Sequence, residues 1–227
     1  MATSVDQLSV FSRVLTTLRS RNKRPEAMVE WKWACEQCRD SELYTESSRL
    51  LLTRTLGSAL VQHPLLEARQ EALIAVTNDA VGLLDMEVIF LPVFAILPEI
   101  AAYFRQVLRS ESMHKEVREH SLLSCLFAFK AMRDEADLVL LEVGSTLVRT
   151  IRVAQDRNWK DILGYTLVTV DDLFNGLRHI AKGPPYSVLL VKTCKQFEAV
   201  LRRVDLCPDH VRDAKDLLRS VQKISAS

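Results

Sequence analysis

Residues 90–132 read FLPVFAILPEIAAYFRQVLRSESMHKEVREHSLLSCLFAFKAM. The first half is apolar, a short polar turn follows, and the second half begins with charged residues and becomes apolar from Leu122. Apolar residues recur at helical spacing in the first half, which predicts a helix over 87–108. The second half predicts a helix over 114–133, with Ser112 as its cap. From Leu122 onward this helix has hardly any polar face, so neighbouring helices must cover it on more than one side.

The composition favours a folded all-α protein. The chain has 227 residues, of which 48% are hydrophobic, and its formal net charge is +1. This size and apolar content suffice to bury a core. The nearly balanced charge gives no global reason to expect a nucleic acid or a membrane as partner. There are only six glycines and no regular turn signals between short apolar runs, so strands are not predicted.

The apolar run over 88–104 is not predicted to span a membrane. Pro92, Pro98 and Glu99 interrupt it well short of the roughly 20 apolar residues that a spanning helix needs. Five cysteines without a signal peptide indicate free thiols in a reducing compartment, the cytoplasm or the nucleus. Residues 1–24 are rich in arginine, serine and threonine, which leaves a mitochondrial presequence open beside the simpler interpretation, an amphipathic first helix.

Helical periodicity and helix breakers extend the pattern over one domain, 1–227, of about ten helices in five antiparallel pairs. The approximate pairs are 4–38, 42–84, 87–133, 136–181 and 185–224. Pro25, Pro64 and Pro208 mark helix starts, where proline is tolerated, and Asp40-Ser41 is the predicted cap of the third helix. Glycines inside helical patterns indicate close approach of a neighbouring helix. They are Gly57, Gly82, Gly144, Gly164 and Gly176.

The second helices of several pairs begin in a similar way. Glu116-Val117-Arg118 and His210-Val211-Arg212 each place a Val-Arg step in the first turn. With the proline-bearing helix before it, 91–132 resembles a HEAT repeat, and 208–214 is similar to the inner half of one. The likeness covers about two of the five pairs; the first pair, with two tryptophans, and the fourth, without Val-Arg, depart from the pattern. The resemblance implies a short right-handed HEAT-like or armadillo-like α-solenoid.

No pattern predicts a catalytic, cofactor or metal site. Cys35-Glu36-Gln37-Cys38 can be a redox pair or half of a zinc site. The other cysteines are scattered, so structural cysteines are favoured over metal or redox chemistry. Asp171-Asp172 with His179 suggests acid–base chemistry, but adjacent carboxylates diverge on a helix and no nucleophile or phosphate loop accompanies them.

The polar turns between helices carry the candidate partner-binding residues. Basic groups or a tryptophan in such turns can hold an acidic protein surface or an RNA backbone. The candidates are Arg21, Lys23, Arg24, Lys115, Arg118, Arg157, Trp159 and Lys160. In the alternative interpretation Trp159 packs inward at the core and the charges are only solvated.

The sequence thus predicts a non-enzymatic helical-repeat scaffold or adaptor, without a cofactor, that binds a protein partner through a concave face or the edge of its inter-helix turns. One alternative is an RNA-associated or ribonucleoprotein-associated helical subunit. The other is a tubulin binder similar to TOG domains, which also comprise several HEAT-like pairs. This second alternative requires the turns near Lys23, Met113, Trp159 and Pro208 to share one edge.

Overall fold

The computed structural model describes residues 4–38, 44–82, 92–180, 188–203 and 208–226. Within these ranges the regular structure is helical and contains no strand, which confirms the predicted all-α class. The α-helices are α1 Ser4–Arg19, α2 Pro25–Gln37, α3 Glu46–Gln62, α4 Leu66–Gly82, α5 Leu97–Arg109, α6 Lys115–Ala131, α7 Ala136–Asp156, α8 Lys160–Ile180, α9 Val188–Leu201 and α10 Pro208–Ala226. None of these helices combines the length and the apolar character needed to cross a membrane.

The helix predicted over 87–108 begins later than expected. Residues 87–91 lie outside the described ranges, Val93–Ile96 forms a single 3₁₀ turn, and α5 begins at Leu97. Pro98 stands in the first turn of α5, where its missing N–H costs no helical hydrogen bond. Proline therefore marks the helix start here instead of lying within a longer helix.

Both predicted caps are wrong. The residue before α6 is His114, not Ser112, and its side chain makes no capping hydrogen bond. The residue before α3 is Thr45, whose hydroxyl accepts a hydrogen bond from the Ser48 N–H at 3.3 Å. That bond satisfies one of the N–H groups left free at a helix start. The predicted cap of α3, Asp40-Ser41, lies outside the described residues.

Contacts between Cα atoms divide the chain into an amino-terminal unit, Met1–Gln106, and a carboxy-terminal unit, Val107–Ser227, with the boundary inside α5. In the amino-terminal unit α1 packs on α2 and α3, α4 packs on α2 and α3, and the 3₁₀ turn Val93–Ile96 packs on α3. In the carboxy-terminal unit α7 and α10 each pack on α8 and α9, and α6 packs on α8. The single domain over 1–227 stays a prediction.

The core of the amino-terminal unit forms along α3. Leu52, Leu56 and Leu60 recur every fourth residue on one helix face, and all three are fully buried. Trp31 of α2 closes one side, and its indole N–H donates a hydrogen bond to the Ala68 carbonyl at 3.1 Å. The polar end of this buried indole is therefore satisfied.

The core of the carboxy-terminal unit contains one large aromatic side chain from each of three helices. Phe129 of α6, Phe174 of α8 and Phe197 of α9 are fully buried, and the Phe174 and Phe197 rings meet edge to face with centroids 5.7 Å apart. Buried threonines donate their hydroxyl hydrogens to the carbonyl four residues earlier and so need no other partner. They include Thr150, Thr166 and Thr169.

A neighbouring element approaches closely at three of the five predicted glycines, Gly57, Gly144 and Gly176. A Cβ on Gly57 would lie 2.6 Å from the Ile96 Cγ2 atom. A Cβ on Gly144 of α7 would lie 2.4 Å from the Cγ2 atom of Thr193 in α9. These distances are far below ordinary carbon–carbon contact, so a side chain larger than hydrogen has no room there.

Candidate partner-binding sites

The connection between α1 and α2 presents three of the predicted cations, Arg21, Lys23 and Arg24, which we call the basic turn. All three side chains are exposed. The Asn22 side-chain oxygen accepts a hydrogen bond from the Arg24 N–H at 3.0 Å, which shapes the turn before α2. Arg21 donates to the backbone carbonyl of Gln62, at 3.3 Å, and to its side-chain oxygen. Arg21 therefore ties the turn to the end of α3.

Three carboxylates of the amino-terminal unit, Glu30, Glu67 and Glu71, pair with cations outside the basic turn. The Lys32 ammonium lies 2.8 Å from Glu67 and 3.7 Å from Glu71, and the hydrogen bond to Glu67 is the main reason that the pKa of Lys32 is raised. Arg13 lies 3.8 Å from Glu30. Within the described residues neither Lys23 nor Arg24 pairs with a carboxylate. Unneutralised positive charge therefore collects at this turn.

A cleft of about 230 Å³ lies beside the basic turn, between the end of α1 and one face of α3. It is lined by Leu18, Arg19, Arg21, Arg54, Thr55, Ser58, Ala59 and His63. Three of these side chains are guanidinium groups, and none of the described lining residues is acidic. The sequence analysis missed Arg54, because a single arginine in the middle of a helix carries no local signal that distinguishes it from other surface arginines.

His63 closes the cleft at the end of α3 and is only 2% exposed. Its Nδ1 accepts a hydrogen bond from the Leu65 N–H at 3.1 Å, and its ring packs against Trp31 with centroids 4.8 Å apart. Burial disfavours the charged imidazolium and lowers the pKa of His63, and the charges of Arg69 and Arg21 act in the same direction. His63 is therefore neutral near pH 7 and adds no charge to the cleft.

A second group of predicted residues surrounds the turn between α7 and α8. Asn158 adopts a left-handed conformation with φ of 53°. Its N–H donates to the Gln155 carbonyl at 3.1 Å, and the Trp159 N–H donates to the Ala154 carbonyl at 2.7 Å. These two bonds form a Schellman motif, in which asparagine is one of the few residues that tolerate the left-handed position. The motif ends α7 and sets the direction in which Trp159 enters α8.

The Trp159 indole is buried, with 7% of its surface exposed, so the ring packs inward. The guanidinium carbon of Arg118 lies 4.7 Å from the ring centroid and that of Arg157 lies 5.2 Å from it. Arg118 also donates to the Ser110 carbonyl at 3.2 Å. Such contacts stabilise by roughly 0.5–2 kcal/mol each. A partner that approaches this turn therefore meets the guanidinium groups of Arg118 and Arg157, and not the face of the Trp159 ring.

Lys115 and Lys160 complete the predicted set, and both are exposed. Lys115 pairs with Glu119 across one helical turn at 3.8 Å, a solvated contact worth little. Of the predicted residues, the structure brings Arg118, Arg157 and Trp159 into direct contact. Arg21, Lys23 and Arg24 belong to the amino-terminal unit, and the other five belong to the carboxy-terminal unit.

The cysteines that the structure describes are buried. Burial raises the pKa of the Cys194 thiol to about 11 and raises that of Cys125 further, so neither thiol is poised for reaction near neutral pH. Cys35 and Cys38 are buried on α2. No cluster of histidine, cysteine and carboxylate side chains able to hold a metal ion occurs within the described ranges.

The adjacent carboxylates of α8 have separate neighbours. The Lys130 ammonium lies 3.0 Å from a carboxylate oxygen of Asp172, whereas Asp171 accepts a hydrogen bond from the Asn175 amide at 3.2 Å. This is the divergence that adjacent helical positions predict.

Comparisons of the chain with models of protein families, with curated proteins and with solved structures gave no match.

Proposed function

We propose that this chain is a non-enzymatic HEAT-like or armadillo-like scaffold that binds an acidic segment of a protein partner through the basic turn. The observation that carries the proposal is the distribution of charge. The chain is almost neutral, at +1, yet Lys23 and Arg24 are exposed and pair with no carboxylate within the described residues. A local positive patch attracts an acidic partner surface even where the net charge of the protein is close to zero.

Helix contacts support the repeat architecture. In stacked two-helix repeats each helix touches its own partner and its counterpart in the next pair. In the amino-terminal unit α1 and α2 touch each other and contact α3 and α4, respectively. In the carboxy-terminal unit α7 and α8 touch each other and contact α9 and α10 in the same way. A right-handed solenoid of antiparallel pairs is the proposed arrangement.

An acidic protein segment is favoured over RNA because exposed aromatic faces do not accompany the basic groups. Single-stranded RNA binds proteins through base stacking as well as through charge. Trp31 and Trp159 are buried, at 3% and 7% exposed, and Trp33 is half-buried with the Arg13 guanidinium over its ring. Charge alone therefore dominates the basic turn, and that chemistry suits a flexible acidic segment.

The test compares a K23E/R24E variant with an R149E/R152E control. Arg149 and Arg152 are exposed on α7, so both variants change the net charge equally. Fluorescence anisotropy would measure binding of a labelled glutamate-rich peptide, a single-stranded RNA of equal charge and tubulin heterodimers. We expect K23E/R24E to weaken peptide binding about tenfold or more and the control to leave it unchanged.

Equal losses in both variants, or no peptide binding even at low salt, would refute the basic turn as the binding surface. RNA binding tighter than peptide binding, and steeply dependent on salt, would move the function to the RNA-associated alternative. Saturable tubulin binding that K23E/R24E abolishes would identify the partner that the TOG-like alternative names.

A further inference from the structure

We propose that the cleft between α1 and α3 binds a phosphoryl group, either free phosphate or a phosphate monoester, through Arg19, Arg54 and Ser58. This inference goes beyond the partner-binding proposal, because it concerns a small dianion and side chains outside Lys23 and Arg24. The two proposals can fail separately.

The cleft gathers donors from two helices that pack on each other. Arg54 and Ser58 are four residues apart on α3, so they lie one above the other on the same helix face. Arg19 is the last residue of α1, which packs on α3. Packing of α1 on α3 therefore places guanidinium groups from different parts of the sequence around one concave surface.

The donors in this cleft differ in whether they already have a partner. The Thr55 hydroxyl donates to the Leu51 carbonyl at 2.8 Å, and Arg21 donates to Gln62. Arg19, Arg54 and Ser58 have no hydrogen-bond or ion-pair partner among the side chains and backbone that the structure describes. These last three groups therefore keep their full donor capacity for a ligand.

The electrostatics of the cleft favour a dianion over a neutral ligand. Guanidinium groups that share one cleft repel each other, and no described lining residue carries a compensating negative charge. Each guanidinium can present two parallel N–H groups to phosphate oxygens, and the Ser58 hydroxyl can donate to a further oxygen. A phosphate dianion has enough acceptor oxygens for all three donors, whereas one carboxylate has two.

Size also limits the ligand. The cleft volume of about 230 Å³ lies below the roughly 300–1,000 Å³ typical of sites for drug-sized molecules. Arg19 also complements the negative end of the α1 dipole. That role accounts for one arginine at a helix end, but it does not account for Arg54 in the middle of α3.

The experiment titrates the full chain with sodium phosphate at constant ionic strength and follows arginine side-chain and backbone NMR signals. Sulfate and acetate serve as the other anions. Arg54→Gln is the test variant, and Arg152→Gln, at an exposed position of α7, is its control. We expect saturable shifts at residues around the cleft, tighter for phosphate and sulfate than for acetate, that R54Q weakens about tenfold or more. R152Q and K23E/R24E should retain them.

Linear, unsaturable shifts or equal affinity in R54Q and R152Q would overturn the proposal. If R54Q loses its helical circular dichroism signal, Ser58→Ala is tested in its place. We expect S58A to stay folded and to bind phosphate more weakly. Unchanged phosphate binding by S58A would contradict the proposal. Pyrophosphate and a phosphoserine peptide with its unphosphorylated twin distinguish the source of the phosphoryl group. Tighter binding of the phosphopeptide indicates a modified protein partner, and equal or tighter binding of pyrophosphate indicates a free ligand.

Discussion

Gly144 of α7 faces Thr193 of α9 at a distance that leaves room for hydrogen alone. A Cβ at position 144 would lie 2.4 Å from the Thr193 Cγ2 atom, but 3.6 Å from Cβ and 3.7 Å from Oγ1 of the same residue. The conflict therefore comes from a single methyl group. Thr193→Ser removes that methyl and keeps the hydroxyl, so it should make room for alanine at position 144.

The expected free energies follow from this geometry. Gly144→Ala alone gains about 1 kcal/mol of helix propensity and loses about 1–3 kcal/mol to overpacking, a net loss of about 1 kcal/mol. Thr193→Ser alone loses a buried methyl group, about 1 kcal/mol. In the double variant the new Cβ occupies the space that the methyl group leaves, and the propensity gain remains. The double variant should therefore be about as stable as the parent, a coupling of about 2 kcal/mol.

Urea denaturation of the four proteins, followed by circular dichroism, measures this coupling. The m-values must agree for the free energies of unfolding to be comparable, because the two units can unfold in separate steps. Additive single effects, within about 0.5 kcal/mol, would show that the α7–α9 contact does not depend on this close approach. A double variant that loses more than the sum of the two single losses would contradict the predicted coupling more strongly.

Other positions yield similarly defined expectations. Gly176→Ala would place a Cβ 2.1 Å from the backbone carbonyl oxygen of Arg133, and a backbone atom cannot rotate away as a side chain can. We therefore expect the free energy of unfolding, measured by thermal denaturation, to fall by about 3 kcal/mol or more. Asn158→Val should destabilise by about 1–2 kcal/mol because valine resists the left-handed conformation, whereas Asn158→Gly should be nearly neutral by the same measurement. The pKa of His63 is lowered in the folded state, so the unfolded chain binds the proton more readily. The free energy of unfolding should therefore fall as the pH drops below about 6.5, by at most about 1.4 kcal/mol per pH unit. His63→Gln should flatten that pH dependence in urea titrations, and an unchanged slope would assign it to other groups.

Much of the helical content could be predicted because periodicity depends only on the spacing of apolar residues. Both Pro25 and Pro208 occupy the first position of the helices they were predicted to start. The caps could not be predicted in the same way, since Ser112 and His114 are both followed by suitable helix formers. Which residue precedes the helix depends on how the chain leaves α5, where the Ser110 hydroxyl accepts a hydrogen bond from the Met113 N–H and the Ser110 carbonyl accepts one from Arg118; the spacing of apolar residues does not record these bonds.

The candidate sites show a similar division. The basic turn was visible because its three cations lie within four consecutive residues, and the structure leaves them exposed. The cleft was not visible, because Arg19 and Arg54 are brought together only by the packing of α1 on α3. No local pattern records such a contact. Sequence reasoning therefore found the charges that cluster along the chain and missed the charges that cluster in space.

The Val-Arg step that suggested a HEAT-like repeat acquires a structural role at Arg118. Its guanidinium donates to the Ser110 carbonyl and lies over the Trp159 ring, so the group is already held by contacts within the protein. Moving such an arginine onto a partner would break these contacts, and the free energy of breaking them offsets what the new contacts gain. Lys23 and Arg54 have no such partners among the described residues. Surface cations should therefore be ranked as functional candidates by the contacts they already make within the protein. By that criterion Lys23 and Arg54 of the amino-terminal unit are better candidates than the arginines at the Trp159 turn.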